Sequence, residues 1–155
     1  MSGQTARDVM DPKPTVLAAT DTVGTGIGYI MDKRFRNVPI VDDKGCYLGV
    51  FGVNCLLRLV LPQAALMEHG LTDISFVSDS LKDLRRRLRE SADKPVTICL
   101  SDEATVIGPD TPLLETLLVL YKTRRSVPVV DPKDRRLLGV VSYWDVGRAI
   151  LAQEV

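Results

Sequence analysis

The apolar and polar positions of this chain follow the same pattern twice. Residues 37–51 read NVPIVDDKGCYLGVF, and residues 126–141 read SVPVVDPKDRRLLGVV. Upstream of each segment, apolar residues recur at spacings of four, seven and eight, which predict a helix with one face on the core. These residues are Val23, Ile27, Ile30 and Met31 in the first copy and Leu113, Leu117, Leu120 and Tyr121 in the second, an offset of 90 positions (113 − 23 = 90). A period this long, seen twice, indicates two similar modules rather than a solenoid.

Each copy predicts the order strand–helix–strand–strand–helix. In both, a β-branched strand, a polar turn and a return strand form a hairpin. The predicted elements of the first copy are Thr15–Leu17, a helix capped by Thr22, Asn37–Val41, Tyr47–Phe51 and Asn54–Leu61. Those of the second are Thr105–Ile107, a helix capped by Thr111 with Pro112 as its first residue, Ser126–Val130, Leu137–Val141 and Tyr143–Ala152. Each sheet leaves an apolar face, so we expect an α/β (α+β) fold in which two β-α-β-β-α repeats pack sheet to sheet with pseudo-two-fold symmetry.

The pattern divides the chain into repeat 1 (residues 1–61), a connecting segment (62–94) and repeat 2 (95–155). In the connector, Ser80 and Asp83 resemble a capping box, and the residues that follow predict an amphipathic helix with a basic face. That face is compatible with a nucleic acid or an acidic partner. A solvated face is favoured, because acids lie nearby and no aromatic residues are interleaved for stacking.

Composition narrows the class of protein only slightly. The 155 residues are 45% hydrophobic and 26% charged, which is a globular balance. The 20 Lys and Arg residues offset 20 Asp and Glu residues, so net charge gives no reason to expect nucleic acid or an anionic membrane as partner. No segment predicts a signal peptide or a membrane span. Cys46, Cys55 and Cys99 are odd in number and widely spaced, which favours free thiols in a reducing cytoplasm.

No set of residues predicts catalysis, a metal site or a bound cofactor. The single histidine, His69, lies in the connector without a nucleophile or ligand pattern around it. The glycines of Gly24–Gly28 lack the spacing of a dinucleotide-binding loop and lie within a predicted helix. Close packing of that helix explains them better. We therefore interpret the chain as a non-enzyme.

The repeated order resembles the cystathionine-β-synthase (CBS) domain. Each copy has a Val-Pro-hydrophobic-Val-Asp strand and a turn, and the second continues as Gly139-Val140-Val141-Ser142-Tyr143-Trp144-Asp145. Two such domains in tandem resemble a Bateman module, and the resemblance covers about residues 5–151. It implies a regulatory module, a homodimer, and an adenosine-containing ligand (AMP, ADP, ATP or S-adenosylmethionine) between the repeats.

The resemblance also implies which residues bind that ligand. One ionised carboxylate accepts from both hydroxyls of a ribose, which is the role implied for Asp145; the alternative is a structural acid in the first turn of a helix. Ser142 is more often a helix cap than a ligand. Arg36 and Arg125 are phosphate candidates, because a guanidinium is a planar fork of donors. The remaining implied ligand residues are Tyr143, Trp144, Val9, Met10, Pro14, Thr15, Asn37 and Val38.

The first repeat departs from the pattern, since Gly52 and Cys55 stand where the second has Ser142 and Asp145. A thiol is a poor acceptor for a diol, so we expect a weaker second pocket and at most one tightly bound nucleotide per chain. Its implied residues are Ile98, Ala104, Thr105, Ser126, Gly52 and Cys55. Two hypotheses follow: a ligand sensor read by an unidentified regulated protein, or a constitutive dimerisation scaffold with degenerate sites.

Overall fold

The computed structural model describes residues 3–61, 80–100 and 105–153. The predicted site residue Ala104, His69 and the part of the connector before Ser80 therefore lie outside the described residues. The helices are α1 (Ala6–Val9), α2 (Val23–Lys33), α3 (Val53–Val60), α4 (Leu81–Ser91), α5 (Leu113–Thr123) and α6 (Tyr143–Leu151), with a 3₁₀ helix at Val96–Cys99. The strands are β1 (Leu17–Ala18), β2 (Asn37–Val41), β3 (Tyr47–Gly52), β4 (Val127–Val130) and β5 (Leu137–Val141).

Each repeat contains a small sheet built on the predicted hairpin. In the first, β1 runs parallel to β2 and β2 runs antiparallel to β3. In the second, β4 pairs antiparallel with β5. The predicted strand Thr105–Ile107 is wrong, because only Ile107 pairs there, through a parallel bridge to Val129.

The two sheets pack face to face, which confirms the predicted fold class. Tyr47, Val50 and Val130 form a buried cluster between them, covered by Val106 and Leu137. The hairpin turns also hydrogen-bond across the interface. The amide of Tyr47 donates to the carbonyl of Arg135 at 2.9 Å, and that of Leu137 donates to Gly45 at 3.0 Å. The two repeats therefore share one buried core at this contact.

Side-chain caps set the starts of the helices. The Thr22 hydroxyl accepts from the Thr25 amide, as predicted. Ser80 with Asp83 forms a complete capping box at α4, also as predicted. The prediction for Thr111 is wrong: α5 begins at Leu113 with Pro112 as its N-cap, and the Thr111 hydroxyl instead accepts from the Gly108 amide at 3.2 Å. The Thr111 hydroxyl therefore stabilises the turn before α5 and does not cap the helix.

Each repeat packs against a segment that lies far away in the sequence. The N-terminal residues dock on the second repeat, where the amide of Asp11 donates to Val140 at 2.8 Å and Val140 donates back at 3.0 Å. Residues 92–99 dock on the first repeat, where the amide of Val96 donates to Asp21 at 2.8 Å. Ala6 and Val96 are fully buried in these two cores. We call this reciprocal docking of residues 92–99 and the N-terminal segment the exchange. It places the N-terminal segment beside α6, at the edge of the site described below.

The exchange also joins two cysteines. Cys55 of α3 and Cys99 form a disulfide, with their Cα atoms 5.7 Å apart, and both are buried. Cys46 is the free cysteine among the described residues. The expectation of three thiols was wrong because Cys99 belongs to the docked segment, a contact that the spacing of the cysteines does not reveal.

Close packing requires a small residue at two of the three glycine positions in α2. A Cβ on Gly26 would lie 2.9 Å from the ring of Phe51, and one on Gly24 would lie 3.3 Å from the carbonyl of Ala92. Gly28 has open space around it. The helix therefore uses small residues at 24 and 26 to approach the sheet and the docked segment, as the sequence analysis predicted.

Replacing Tyr47 with Phe should stabilise the fold. Tyr47 is 7% exposed, and within the part of the chain that the structure describes its hydroxyl has no hydrogen-bond partner. Removing an unsatisfied buried hydroxyl is expected to raise the free energy of unfolding by about 1 kcal/mol, measured by urea titration.

The pH dependence offers a check on this change. Burial raises the pKa of Tyr47 above its ordinary value of 10.0. Since the unfolded chain ionises this phenol more readily, wild-type stability should fall as the pH rises above about 10. Tyr47→Phe should lose less over the same range. Equal losses in the two proteins would contradict the buried, unpartnered placement.

Candidate functional site

Asp145 lies in the first turn of α6, where the chain leaves β5. Its Oδ2 atom accepts from the Ser142 amide at 3.0 Å and the Ser142 hydroxyl at 2.7 Å, while the Asp145 amide donates back to that hydroxyl at 3.2 Å. This capping box fixes the carboxylate at the start of the helix. Its Oδ1 atom accepts from Nη2 of Arg148 at 2.9 Å. Ser142 is therefore the N-cap of α6 and Asp145 completes its capping box, and Asp145 also faces the cleft described next.

The Asp145 cleft is a cavity of about 320 Å³ between the repeats. It combines an apolar wall with a few polar groups, as small-molecule sites do. Its apolar and small lining residues are Pro14, Thr15, Phe35, Pro39, Val140 and Trp144. Its polar and charged lining residues are Asp11, Lys13, Asn37, Ser126, Ser142, Asp145 and Arg148. Two acids face two cations here, so the cleft itself has little net charge.

A second space, the cationic chamber, adjoins this cleft. It has a volume of about 450 Å³, and the two share Phe35, Asn37, Ser126, Ser142 and Trp144 as lining residues. Five cations line it, and no Asp or Glu among the described residues does so; the cations are Lys33, Arg34, Arg36, Arg124 and Arg125. Lys33 also connects the two spaces, because its Nζ donates to the Thr15 hydroxyl at 3.3 Å. Such a concentration of positive charge attracts polyanions.

The backbone holds two of these arginines in matching positions. Arg34 ends α2 and Arg124 ends α5, each in the left-handed conformation with φ 57°. A residue with a Cβ adopts this conformation at a cost of about 1–2 kcal/mol relative to glycine. Glycine is the usual residue at such a helix end. Arginine at both positions therefore gives up some stability and adds charge to the chamber.

The predicted ligand residues divide between the two spaces. Pro14, Thr15 and Asn37 line the Asp145 cleft with Ser142, Trp144 and Asp145. Arg36, Arg125 and Tyr143 line the cationic chamber. The Tyr143 hydroxyl donates to the Leu120 carbonyl at 3.1 Å. Trp144 is 79% exposed and lies at the rim of both spaces.

Three predicted residues lie elsewhere. Val9 and Met10 pack on the core of the second repeat and do not line the cleft. Val38 is fully buried in the core of the first repeat. The docking of the N-terminal segment explains the first two, since it turns α1 inward and presents Asp11 and the residues after it to the cleft. Val38 points away because alternate residues of a strand face opposite sides of the sheet.

Several residues of the site were not predicted from the sequence. Arg148, on the same face of α6 as Asp145, could have been found from its three-residue spacing. Lys33, Arg34 and Arg124 carry a weaker signal, since they are basic residues at the matching ends of two predicted helices. The other residues that were missed are Asp11, Lys13, Phe35, Pro39 and Val140.

The residues expected to form the second pocket are dispersed. Cys55 is buried in the disulfide with Cys99, so it presents no ligand atom. Ser126 lines the Asp145 cleft instead. Ile98 and Thr105 are exposed, and Gly52 is the N-cap of α3. A cavity of about 250 Å³ does lie beside α3, lined by Val53, Asn54, Thr123 and the arginines at 36, 124 and 125. It is polar and cationic, and no carboxylate of the residues that the structure describes lines it.

Comparison with known families agrees with this architecture. The family model for the CBS domain matches twice, at residues 6–62 and 93–152. The chain belongs to the CBS domain family. It carries two CBS domains in tandem, and CBS-pair proteins are generally regulatory rather than catalytic.

Similar proteins share the fold along nearly all of this chain. The chloroplastic CBS domain-containing protein CBSX2 of Arabidopsis thaliana is 24% identical over 154 residues, which cover 96% of this chain and 64% of that protein. An A-adding tRNA nucleotidyltransferase of Aquifex aeolicus is 22% identical over 93% of this chain but only 14% of its own length. The chain thus spans less than two thirds of both curated relatives.

Solved structures show the same arrangement. A crystal structure of CBSX2 in complex with AMP superposes with a TM-score of 0.68 at 24% identity, covering 96% of this chain and 97% of that one. A putative acetoin utilization protein (AcuB) from Vibrio cholerae superposes with a TM-score of 0.70 at 20% identity, covering 96% and 91%. Over the described ranges, no helix of this chain is long and apolar enough to span a membrane.

Proposed function

We propose that this chain is a regulatory module that binds an adenine nucleotide between its two CBS domains. The observation that supports the proposal is the continuity of two chemically different spaces. The Asp145 cleft is partly apolar and almost neutral, and the adjoining chamber is strongly cationic. One ligand with a base, a ribose and a phosphate chain has those properties in the same order.

The cleft offers surfaces for a base and a ribose. Pro14, Pro39 and Val140 provide apolar surface, with the Phe35 and Trp144 rings beside them. The Asp145 carboxylate has limited capacity, because Oδ2 already accepts two hydrogen bonds and Oδ1 accepts one from Arg148. Each carboxylate oxygen accepts about two. Asp145 therefore takes one ribose hydroxyl as it stands, and a second if Arg148 moves to the ligand.

The charge of the chamber distinguishes among adenosine-containing ligands. Phosphate groups would be stabilised by the arginine forks at Arg36, Arg124 and Arg125. S-adenosylmethionine carries a sulfonium cation and no phosphate, so five nearby cations disfavour it. We infer that affinity increases with phosphate number, from adenosine through AMP to ATP. The AMP complex of CBSX2 supports the nucleotide class.

Regulation would follow from preference for one arrangement of the repeats. A ligand that contacts Pro14 and Asn37 in one place and Asp145 in another favours the spacing at which all three contacts form. A coupling free energy of about 1–3 kcal/mol is enough for a partner protein to distinguish the two states. The regulated partner is a protein that this proposal does not identify.

Nucleotide binding to Asp145 variants tests the proposal. We expect ATP to raise the melting temperature of the wild-type chain by linkage. Asp145→Ala should weaken binding about tenfold or more by calorimetry, because a hydrogen bond to a charged group is worth about 1.5–3 kcal/mol.

The chain contains a matched control for the loss of the cap. Asp83 makes the same capping box with Ser80 at α4, which does not line the cleft. Asp83→Ala should lose a similar amount of stability, about 1 kcal/mol, and retain ligand affinity. If no adenine nucleotide shifts the melting temperature of the wild-type chain, the scaffold hypothesis replaces the sensor.

The homodimer is also a proposal. Exposed leucines on α5 and α6 mark the surface that we propose for association: Leu114 of α5 is 80% exposed and Leu151 of α6 is 86% exposed. We expect Leu114→Glu to shift sedimentation from dimer towards monomer, because a charge in an apolar interface is costly. Leu81→Glu on α4, where the leucine is 85% exposed, is the control and should not change the oligomeric state. A wild-type monomer would contradict the dimer.

A further inference from the structure

We infer that the Cys55–Cys99 disulfide is a reversible, redox-controlled cross-link that holds residues 92–100 on the first repeat. Cys55 lies in the first turn of α3, and Cys99 ends the 3₁₀ helix that follows α4. The two residues are 44 positions apart in the sequence. The inference concerns the thiol chemistry of the fold and does not depend on the proposed nucleotide.

The disulfide occurs at the point where the two repeats differ. In the second repeat the corresponding positions hold Asp145 and Val9, and α1 docks beside α6 without a covalent bond. In the first repeat a covalent bond connects the docked segment to α3. One half of the molecule is therefore cross-linked where the other half offers a carboxylate to the cleft.

Within the described residues, backbone hydrogen bonds and the burial of Val96 also hold the docked segment. The amides of Val23 and Gly24 donate to the carbonyls of Lys94 and Ala92 at 2.8 and 2.9 Å, and the Val96 amide donates to Asp21. Val96 is the fully buried side chain of this segment. Breaking the disulfide would leave these contacts to oppose the conformational entropy of a free segment. The cross-link therefore adds a covalent constraint to these contacts, which the corresponding segment of the second repeat does not have.

Small thiols can reach the sulfur atoms by local opening. Both cysteines are buried, but Ile98 and Leu100 beside Cys99 are 45% and 37% exposed. The 3₁₀ helix that contains Cys99 has only four residues. Short elements with exposed neighbours open at a lower free energy than the whole domain unfolds.

The chemistry is thiol–disulfide exchange with a small thiol such as glutathione. A thiolate attacks one sulfur, which forms a mixed disulfide and releases the other cysteine as a thiolate that takes up a proton. A second small thiol then displaces the first. In total, two small thiols become one disulfide, the Cys55–Cys99 bond becomes two thiols, and two electrons are transferred.

Reduction should alter the cavity beside α3. Val53 and Asn54, directly before Cys55, line that cavity with Arg36, Arg124 and Arg125. All three of these arginines also line the cationic chamber next to Asp145. The redox state of the pair is thus connected through shared side chains to the wall of the chamber.

Hydrogen exchange under glutathione buffers tests the inference. The native protein is equilibrated at several ratios of reduced to oxidised glutathione. Free thiols are then alkylated, and their number is determined from the mass by mass spectrometry. We expect the pair to interconvert without denaturant. In the reduced form the amides of Val23, Gly24 and Val96 should exchange at least tenfold faster, whereas those of β4 and β5 should not change.

Two outcomes would overturn the inference. One is reduction that occurs only in denaturant, which would make the bond a permanent structural cross-link. The other is reduction that leaves exchange at Val96 unchanged. Cys55→Ala with Cys99→Ala should reproduce the reduced pattern in any buffer, and Cys46→Ser should behave like the wild-type chain. Reduction and hydrogen exchange of the wild-type chain test the inference without any variant, so it remains testable even if the double variant does not fold.

Discussion

Reversing the charge of Arg124 and Arg125 together is expected to weaken ATP binding by a factor of about 100 or more. Both side chains line the cationic chamber, in which the described residues include no acid. Each guanidinium that contacts a phosphate contributes about 1.5–3 kcal/mol, and two such losses amount to about two orders of magnitude or more. The measurement is calorimetric titration of Arg124→Glu/Arg125→Glu with ATP and with adenosine.

A matched variant separates local contacts from net charge. Arg85 and Arg89 are exposed on α4, which does not line the chamber. Arg85→Glu/Arg89→Glu changes the net charge by the same amount and should reduce ATP affinity only slightly, because salt screens exposed charges beyond about 10 Å. Adenosine should bind both variants alike. An equal loss of ATP affinity in the two variants would show that the chamber does not contact phosphate.

Replacing Gly139 with alanine is expected to reduce the free energy of unfolding by about 2–3 kcal/mol. A Cβ at this position would lie 2.5 Å from the backbone oxygen of Asp11 and 2.8 Å from the sulfur of Met10. A backbone oxygen held by the Asp11–Val140 hydrogen bonds cannot move aside easily. The N-terminal segment would have to shift, and Pro14 and Thr15 would leave the wall of the cleft.

Denaturant titration and trypsin cleavage measure this effect. Cleavage after the exposed Arg7 should be faster in Gly139→Ala, because the docked segment spends more time open. Gly147→Ala in α6 is the control. A Cβ there has no neighbour within 4 Å, so alanine should raise stability by up to about 1 kcal/mol through helix propensity. A Gly139→Ala protein as stable as wild type, with unchanged cleavage, would contradict the close approach of Asp11.

The helices, hairpins and helix starts could be predicted from the amino-acid pattern alone. The spacing of apolar residues placed α2 and α5, the β-branched segments placed both hairpins, and Ser142 with Asp145 marked the start of α6. These features depend on side chains within a few residues of one another, so one turn of helix or one strand carries enough information to specify them. The repeat itself then indicated the family and the face-to-face packing of the sheets.

The contacts between distant segments could not be predicted in that way. Val9 was expected in the cleft, but α1 crosses to the second repeat, where Val9 packs half-buried against the core. Cys55 and Cys99 were expected to be thiols, but the matching exchange of residues 92–99 brings them together. The cationic chamber forms because the ends of α2 and α5, 90 positions apart in the sequence, line the same cavity.

The order of apolar and polar residues in each segment therefore specifies which element it forms and which side of that element is apolar. The pattern does not specify which of the two sheets that apolar side covers. Each half repeats the other's pattern, so burial against either half removes a similar apolar area from water. Steric fit favours the observed docking of residues 92–99, because Gly24 admits residue 92 at a position where the second repeat has Leu114, and Gly139 leaves room for the N-terminal backbone. Asp145 could be recognised from its motif, whereas the partners that surround it were assembled by those two crossings of the chain.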